Sequence, residues 1–311
     1  MLDYMERIHP FSTPRRPFRF GVVAASAGSG DEWAAKARRV EALGYASLVV
    51  PDGLRHSLAP LPALAAAAAA TRSLRVGTYV LANDFRNPVL LAKEVATLDL
   101  LSGGRFELGV GAGRPAAAAE NRMLGLAFDP GGVRVARLAE ALAVLKPLLA
   151  GQRASASGAH YGVVEAEISP PPVQRPRPPI LVAGSGRQLL ALAAREADIV
   201  ALGLPPDAPA ATAAERIGWL REAAGERFAQ LELNVNLMAV GQQVPRYLSA
   251  QLGLSAEALA RTGSVAALTG TTDQMCAQLL ERRDAFGISY LMVSDELMEA
   301  LAPVVERLAG R

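Results

Sequence analysis

The most specific chemical signal in this chain is the run Gly184-Ser185-Gly186-Arg187, which follows the apolar stretch 180–183 and precedes a helical pattern. A strand that enters a glycine-rich turn and then a helix points free backbone N–H groups outward, and the Ser185 hydroxyl and Arg187 guanidinium add donors. These groups suit a phosphate, although a tight turn with a solvated arginine uses the same residues. The run is not a Walker loop, because no Gly-Lys-Ser/Thr follows, and it lacks the third glycine of a dinucleotide fingerprint. Asp52 closes another apolar run, where a carboxylate either shuttles a proton or caps the next loop. His9, His56 and His160 have neither the setting of a metal triad nor that of a Ser/His/Asp set. Glu120 and Arg122 either line a lid or lie on a solvated helix face.

These residues need a scaffold that brings strand ends together. The stretch 74–113 sets its pattern: the Val-rich run 74–81, a helix, then the apolar run 106–110. Asn87 is a good N-cap, Pro88 fits the first helical position, and Leu91, Val95, Leu98 and Leu101 follow at helical spacing. Strand, helix and strand at this length make a βαβ unit with parallel strands. Further strands are expected at 18–24, 47–52, 180–183, 199–202, 231–240 and 289–293, nearly all followed by helical patterns. Eight such units are the count of a (β/α)8 TIM barrel, with a Pro-rich insertion at 151–178 between strands four and five. An open doubly wound sheet would need a topological switch point, and none is marked. Residues 1–17, with three prolines and no periodicity, are expected to be an N-terminal arm on a single barrel domain spanning 18–311. In a barrel the site lies at the C-terminal ends of the strands, where both Asp52 and the 184–187 turn fall.

Composition narrows the function classes. The chain has 311 residues, 51% hydrophobic and 20% charged, with a net charge of +2 and its arginines interspersed with acids. Nucleic-acid binding is not expected. Cys276 is the only cysteine, so neither a disulfide framework nor a thiolate metal site is available, which suits a reducing compartment. The charged N-terminal stretch has no apolar h-region, and the Ala-rich run 61–70 is too short to span a bilayer. A cytoplasmic protein without membrane contact is expected.

The chain from Phe18 to about Leu308 resembles the bacterial luciferase-like family of flavin and deazaflavin oxidoreductases. The resemblance rests on VGTYVL, then Asn87-Pro88, then ATLDLLSGGRFELGVGAG, with Pro51-Asp52 and ILVAGSG alongside. It is closest to the branch that uses coenzyme F420, with FMN as the alternative cofactor. It implies a TIM barrel in which Asp52 lies near the deazaflavin ring, a backbone bulge at Tyr79-Val80 supports that ring, and Gly184, Ser185, Gly186 and Arg187 hold the phosphate, with Gly113 at the cofactor site. The Tyr79-Val80 peptide is accordingly expected to be strained, with a cis bond as one form the strain can take. The implied activity is hydride transfer from the reduced deazaflavin to an activated double bond of a small-molecule or peptide natural-product substrate, dehydroamino acids included. The alternatives are an FMNH2-dependent monooxygenase and a non-catalytic flavin-binding relative. The sequence departs from the family at Gly53, where many relatives have His, and at Arg114-Pro115. The proton is therefore expected from His56, Tyr79, Glu120 or solvent. A homodimer is the expected assembly.

Overall fold

The computed structural model describes residues 15–55 and 58–311. Eight parallel strands form the barrel wall: β1 Arg19–Val23, β2 Ser47–Val50, β3 Arg75–Thr78, β4 Phe106–Gly111, β5 Ile180–Gly184, β6 Ile199–Leu202, β7 Glu232–Leu237 and β8 Ile288–Ser294. Each pairs in parallel with its sequence neighbours, β8 pairs with β1, and the sheet is closed. The eight helices that follow them are α1 Gly30–Ala42, α2 Pro60–Ala70, α3 Pro88–Leu101, α4 Gly131–Leu149, α5 Arg187–Glu196, α6 Ala210–Ala224, α7 Thr272–Phe286 and α8 Met298–Leu308. This is a (β/α)8 TIM barrel.

Local chemistry explains the boundaries. Asn87 accepts from the Val89 and Leu90 N–H groups and starts α3 with Pro88 in its first turn. Thr271 and Gln274 form a reciprocal capping box that starts α7. Two hydrophobic layers result. The larger packs the outer faces of the strands against the helices, and a smaller one fills the barrel with Val49, Leu181, Ile199, Ala201, Tyr290 and Met292.

Three stretches differ from the simple pattern. The run 74–81 is not one strand: β3 stops at Thr78, the Tyr79-Val80 peptide is cis, and pairing resumes at Leu81–Ala82 against Val110 and Gly111. The run 231–240 divides after Leu237, because the N–H groups of Met238 and Ala239 both turn to the Ala266 carbonyl. Ala239–Val240 then pairs with Ala267–Leu268, and the intervening segment holds two short helices, Arg246–Leu252 and Ala256–Arg261, that periodicity did not signal. Between α4 and β5 lies an antiparallel hairpin, Ala154–Ser157 with Gly162–Ala166. Its turn is tied to α4 by the Glu140 carboxylate, which accepts from the N–H groups of Ala159, His160 and Tyr161. Of the expected arm, Arg15 pairs with Asp284, Arg16 donates to the carbonyls of Ala229 and Gln230, and residues 1–14 lie outside the described residues. Among the described residues no helix is long and apolar enough to cross a membrane.

Candidate active site

The C-terminal mouth of the barrel is shaped by the break in β3. A Cβ at Gly109 would lie 2.0 Å from the Thr78 carbonyl oxygen, and one at Gly111 would lie 2.9 Å from a Val80 methyl. Only glycine at both positions lets β4 run this close to the bulge, which gives the GVGAG run its physical reason. The Thr78 hydroxyl locks the two strands together, donating to the Gly109 carbonyl and accepting from its N–H, each at 2.8 Å. Tyr79 turns toward the opposite wall, where its hydroxyl donates to Asn234 Oδ1 at 2.7 Å, and Asn234 Nδ2 donates to the Tyr290 carbonyl at 3.1 Å. Burial pushes the Tyr79 phenol well above its ordinary pKa. With its proton already given to Asn234 and its acidity reduced, Tyr79 is poorly suited to act as the proton donor that the sequence allowed.

Above this pair lies a cavity of about 200 Å3, lined by Tyr79, Val80, Ala183, Gly203, Asn236 and Met238 among others. The Asn236 Oδ1 atom is buried and has no hydrogen-bond partner among the described residues. The segment after β7 reaches this mouth, because the Tyr247 hydroxyl lies 3.3 Å from Met238 Sδ.

Asp52, at the end of β2, is engaged by protein. Its Oδ2 accepts from the Ala82 N–H at 2.9 Å and from Arg86 at 2.5 Å, and Oδ1 accepts from Arg86 at 3.2 Å. The carboxylate is only 8% exposed, and it fastens the chain where β3 resumes beyond the bulge. It thus acts on the mouth by holding the bulge. His56 lies outside the described residues. Leu54, two residues after Asp52, donates through its N–H to Glu120 Oε1 at 3.3 Å, which joins the loops after β2 and β4. Glu120 is therefore a loop tether in this structure. His160 sits on the turn of the 154–166 hairpin, where its backbone N–H meets Glu140 at 2.8 Å.

Gly113 adopts a φ of +77° as the chain turns out of β4, and Arg134 donates to the carbonyls of Ala112 and Gly113 from the first turn of α4. The guanidinium also stacks 4.2 Å from the Phe128 ring. Arg137, one turn further on, bridges Asp84 after β3 and Asp129 before α4. Sequence reasoning missed Arg86, Arg134, Arg137, Asn234 and Asn236. Only the alternation of Glu232, Asn234 and Asn236 with apolar residues along β7 offered a signal.

At the end of β5, Ser185, Gly186 and Arg187 are all exposed. No side chain caps α5, and its first intrahelical bond is Leu190 N–H to the Gly186 carbonyl at 2.9 Å. The N–H groups of the first turn are thus open to an anion, as the sequence implied. Arg187 is placed differently from that expectation: it pairs with Glu222 of α6 at 2.6 Å, with both side chains about two-thirds exposed, 63% and 67%. Cys276 is a buried free thiol on α7. Among the described residues no group of three or more His, Cys, Asp or Glu side chains is arranged to hold a metal ion.

Comparison with known proteins places this geometry. The chain is 38% identical over 168 residues to the F420-dependent glucose-6-phosphate dehydrogenase of Beutenbergia cavernae, covering 51% of this chain and 48% of that protein. The protein of the same name from Microbacterium testaceum is 35% identical over 191 residues, covering 58% and 55%. The chain thus spans about half the length of the curated relatives it matches. Among solved structures, the coenzyme F420-dependent tetrahydromethanopterin reductase of Methanopyrus kandleri superposes with a TM-score of 0.74 at 17% identity, covering 94% of this chain and 99% of that one. A long-chain alkane monooxygenase superposes with a TM-score of 0.75 at 13% identity, covering 94% and 92%. At such identities these two show the shared fold alone. The profile of the luciferase-like monooxygenase family matches residues 17–251, and this chain belongs to that family.

Proposed function

We propose that this protein is a coenzyme F420-dependent oxidoreductase that transfers a hydride from the reduced deazaflavin to an activated double bond of an organic substrate. The observation that carries this reading is the pairing of the glycine-backed break between β3 and Leu81 with an uncapped α5 N-terminus on the same barrel mouth. The first gives a flat ring a backbone wall, and the second gives a phosphate a set of free N–H donors. The names of the curated relatives support F420 over FMN.

The residues present fit such a cofactor. Gly186, Gln188 and the other residues that open α5 would hold the phosphate through backbone N–H groups, with Ser185 adding a hydroxyl. Arg187 would have to exchange Glu222 for that phosphate. Val80 would back the ring, and Asp52 with Arg86 would keep the bulge in place. When bound, reduced F420 supplies a hydride from the carbon that replaces the flavin N5, and it reacts poorly with oxygen. The cavity lining there includes the apolar side chains of Val80, Ala183 and Ala201. With Tyr79 committed to Asn234 and Asp52 to Arg86, solvent is the proton source we assign to the neighbouring carbon. We further propose a cytoplasmic homodimer acting on a small-molecule or peptide natural-product substrate.

The test is anaerobic turnover of candidate unsaturated substrates with F420 deuterated at its transferring carbon. One deuterium in a reduced product is the expected result. Dependence on oxygen, with an oxygen atom inserted, would establish an FMN-dependent monooxygenase instead.

A further inference from the structure

Resting on that reading, we infer that Arg114 is a specificity-determining residue that binds the carboxylate of an unsaturated organic acid, whose double bond is conjugated to that carboxylate. Position supplies the first argument. Arg114 follows the end of β4 by three residues, and its backbone is held on both sides. Arg134 donates to the carbonyls of Ala112 and Gly113 before it, and the Ala117 N–H donates to the Arg114 carbonyl at 2.8 Å. Across the barrel end, the Tyr247 hydroxyl lies 3.3 Å from Met238 Sδ, and Met238 lines the cavity. Burial raises the pKa of the Tyr247 phenol, and the charge of Arg114 works against that rise, so the two side chains are near each other. Since β5 and β6 separate β4 from β7 in the wall, the two loops meet over the barrel end that holds the cavity.

The second argument is charge. Acids at this end of the barrel are engaged by other cations: Asp52 by Arg86, Asp84 by Arg137, Asp295 by Lys36 and Glu296 by Arg246. Arg114 is exposed, and its side chain makes no ion pair or hydrogen bond among the described residues. The cavity lining carries no charged side chain, so nothing in it repels an anion or competes for the guanidinium. The planar guanidinium matches the two oxygens of a carboxylate with two parallel N–H donors. Chemistry supplies the link to the double bond. A free carboxylate activates a neighbouring double bond weakly, because its charge repels a hydride, and a guanidinium on both oxygens offsets that charge. The hydride then adds to the carbon β to the carboxylate, the π electron pair moves to the α-carbon, and a solvent proton completes the new C–H bond there.

The experiment uses two probes of the same shape, cinnamate and cinnamamide, which differ in the charge of one group. Their dissociation constants are measured by saturation-transfer NMR on the protein with and without oxidised F420. Wild type should bind cinnamate about tenfold more tightly, the factor given by about 1.4 kcal/mol, and the preference should shrink as salt rises. Arg114→Gln should lose the preference with its F420 affinity unchanged. Arg122→Gln, which removes the same charge from the short helix Ala118–Met123, should keep it. Both side chains are exposed, so both variants should melt as wild type does. The inference is overturned if wild type shows no preference, if Arg114→Gln keeps it, or if Arg122→Gln abolishes it equally, which would assign it to the general charge of the rim. It is also overturned if Arg114→Gln loses F420 affinity, which would assign Arg114 to the cofactor. Failure of wild type to bind F420 would overturn the cofactor reading and the double-bond class with it, whereas the preference measured without F420 would still show whether Arg114 holds a carboxylate.

Discussion

At the N-terminal end of the barrel interior Arg19 lies between Glu107 and Glu232, whereas at the C-terminal end Asn236 faces a cavity with its Oδ1 unmet. The lower cluster is closed on itself. Arg75 reaches Glu107 at 2.5 Å, the Tyr290 hydroxyl lies 3.2 Å from the same carboxylate and 2.6 Å from Ser47 Oγ, and Arg19 stacks 4.2 Å over the Tyr290 ring. Burial works to raise the Glu107 pKa, but the two guanidiniums outweigh it and hold the carboxyl below its ordinary range. Glu232, where burial dominates over Arg19, sits above that range. Each barrel end carries polar side chains, and they differ: the lower set satisfies itself and locks the strands, while the upper end holds a cavity and leaves Asn236 Oδ1 without a partner.

The sharpest way to break this comparison is Glu107→Ala. Removing this shared carboxylate leaves Arg75 without an acidic partner and Arg19 with Glu232 alone, and should cost about 3 to 5 kcal/mol in unfolding free energy, measured by urea denaturation. The F420 affinity of the folded protein should hardly change. A large loss of affinity without a loss of stability would mean that the lower cluster serves the site.

Asp52→Ala should act in the other direction at the mouth. It frees Arg86 and the Ala82 N–H, at a stability cost of about 1 to 3 kcal/mol, and loosens the bulge on which the ring is proposed to rest. Cofactor titration should show a weaker complex even at temperatures where the variant is fully folded.

Acid titration separates the two lower carboxylates. Glu107 has a folded pKa below its unfolded value of about 4.3, so its contribution is present above that pH and is lost as the pH falls through the folded value. Glu232 has the opposite sign: its raised folded pKa favours the folded acid form, and that contribution is lost as the pH rises through it. Melting curves against pH should therefore lose part of their acid dependence in Glu107→Gln, while Glu232→Gln should be better tolerated at neutral pH. Equal losses in both variants would contradict the assignment.

The smallest effect concerns Arg187. Its exposed pair with Glu222 is worth no more than about 1 kcal/mol, so Glu222→Gln should free the guanidinium and tighten F420 by a few-fold at most. Arg187→Ala should weaken binding modestly, because backbone N–H groups carry the anion site. A loss of a hundredfold or more would show that Arg187 is the main anchor.

The sequence disclosed the barrel because its eight strands are short, largely apolar runs followed by helical patterns, and these are local signals. The glycine turn before α5 was legible for the same reason, whereas the bulge at Tyr79-Val80 was implied only by the resemblance to the luciferase-like family. What remained hidden depends on contacts between distant segments. Arg86 meets Asp52 across 34 positions, Tyr79 meets Asn234 across 155, and Arg187 turns to Glu222 across 35, pairings that no periodicity encodes. The helices Arg246–Leu252 and Ala256–Arg261 were missed because they are 7 and 6 residues long, too short to show a stripe.

The central claim is that the upper end of the barrel is a deazaflavin site. Equilibrium titration of the wild-type protein with coenzyme F420, in competition with FMN, tests it most directly. The account predicts saturable F420 binding that FMN displaces poorly and that Asp52→Ala weakens while Glu107→Gln does not. Tight FMN binding with no measurable affinity for F420 would contradict it.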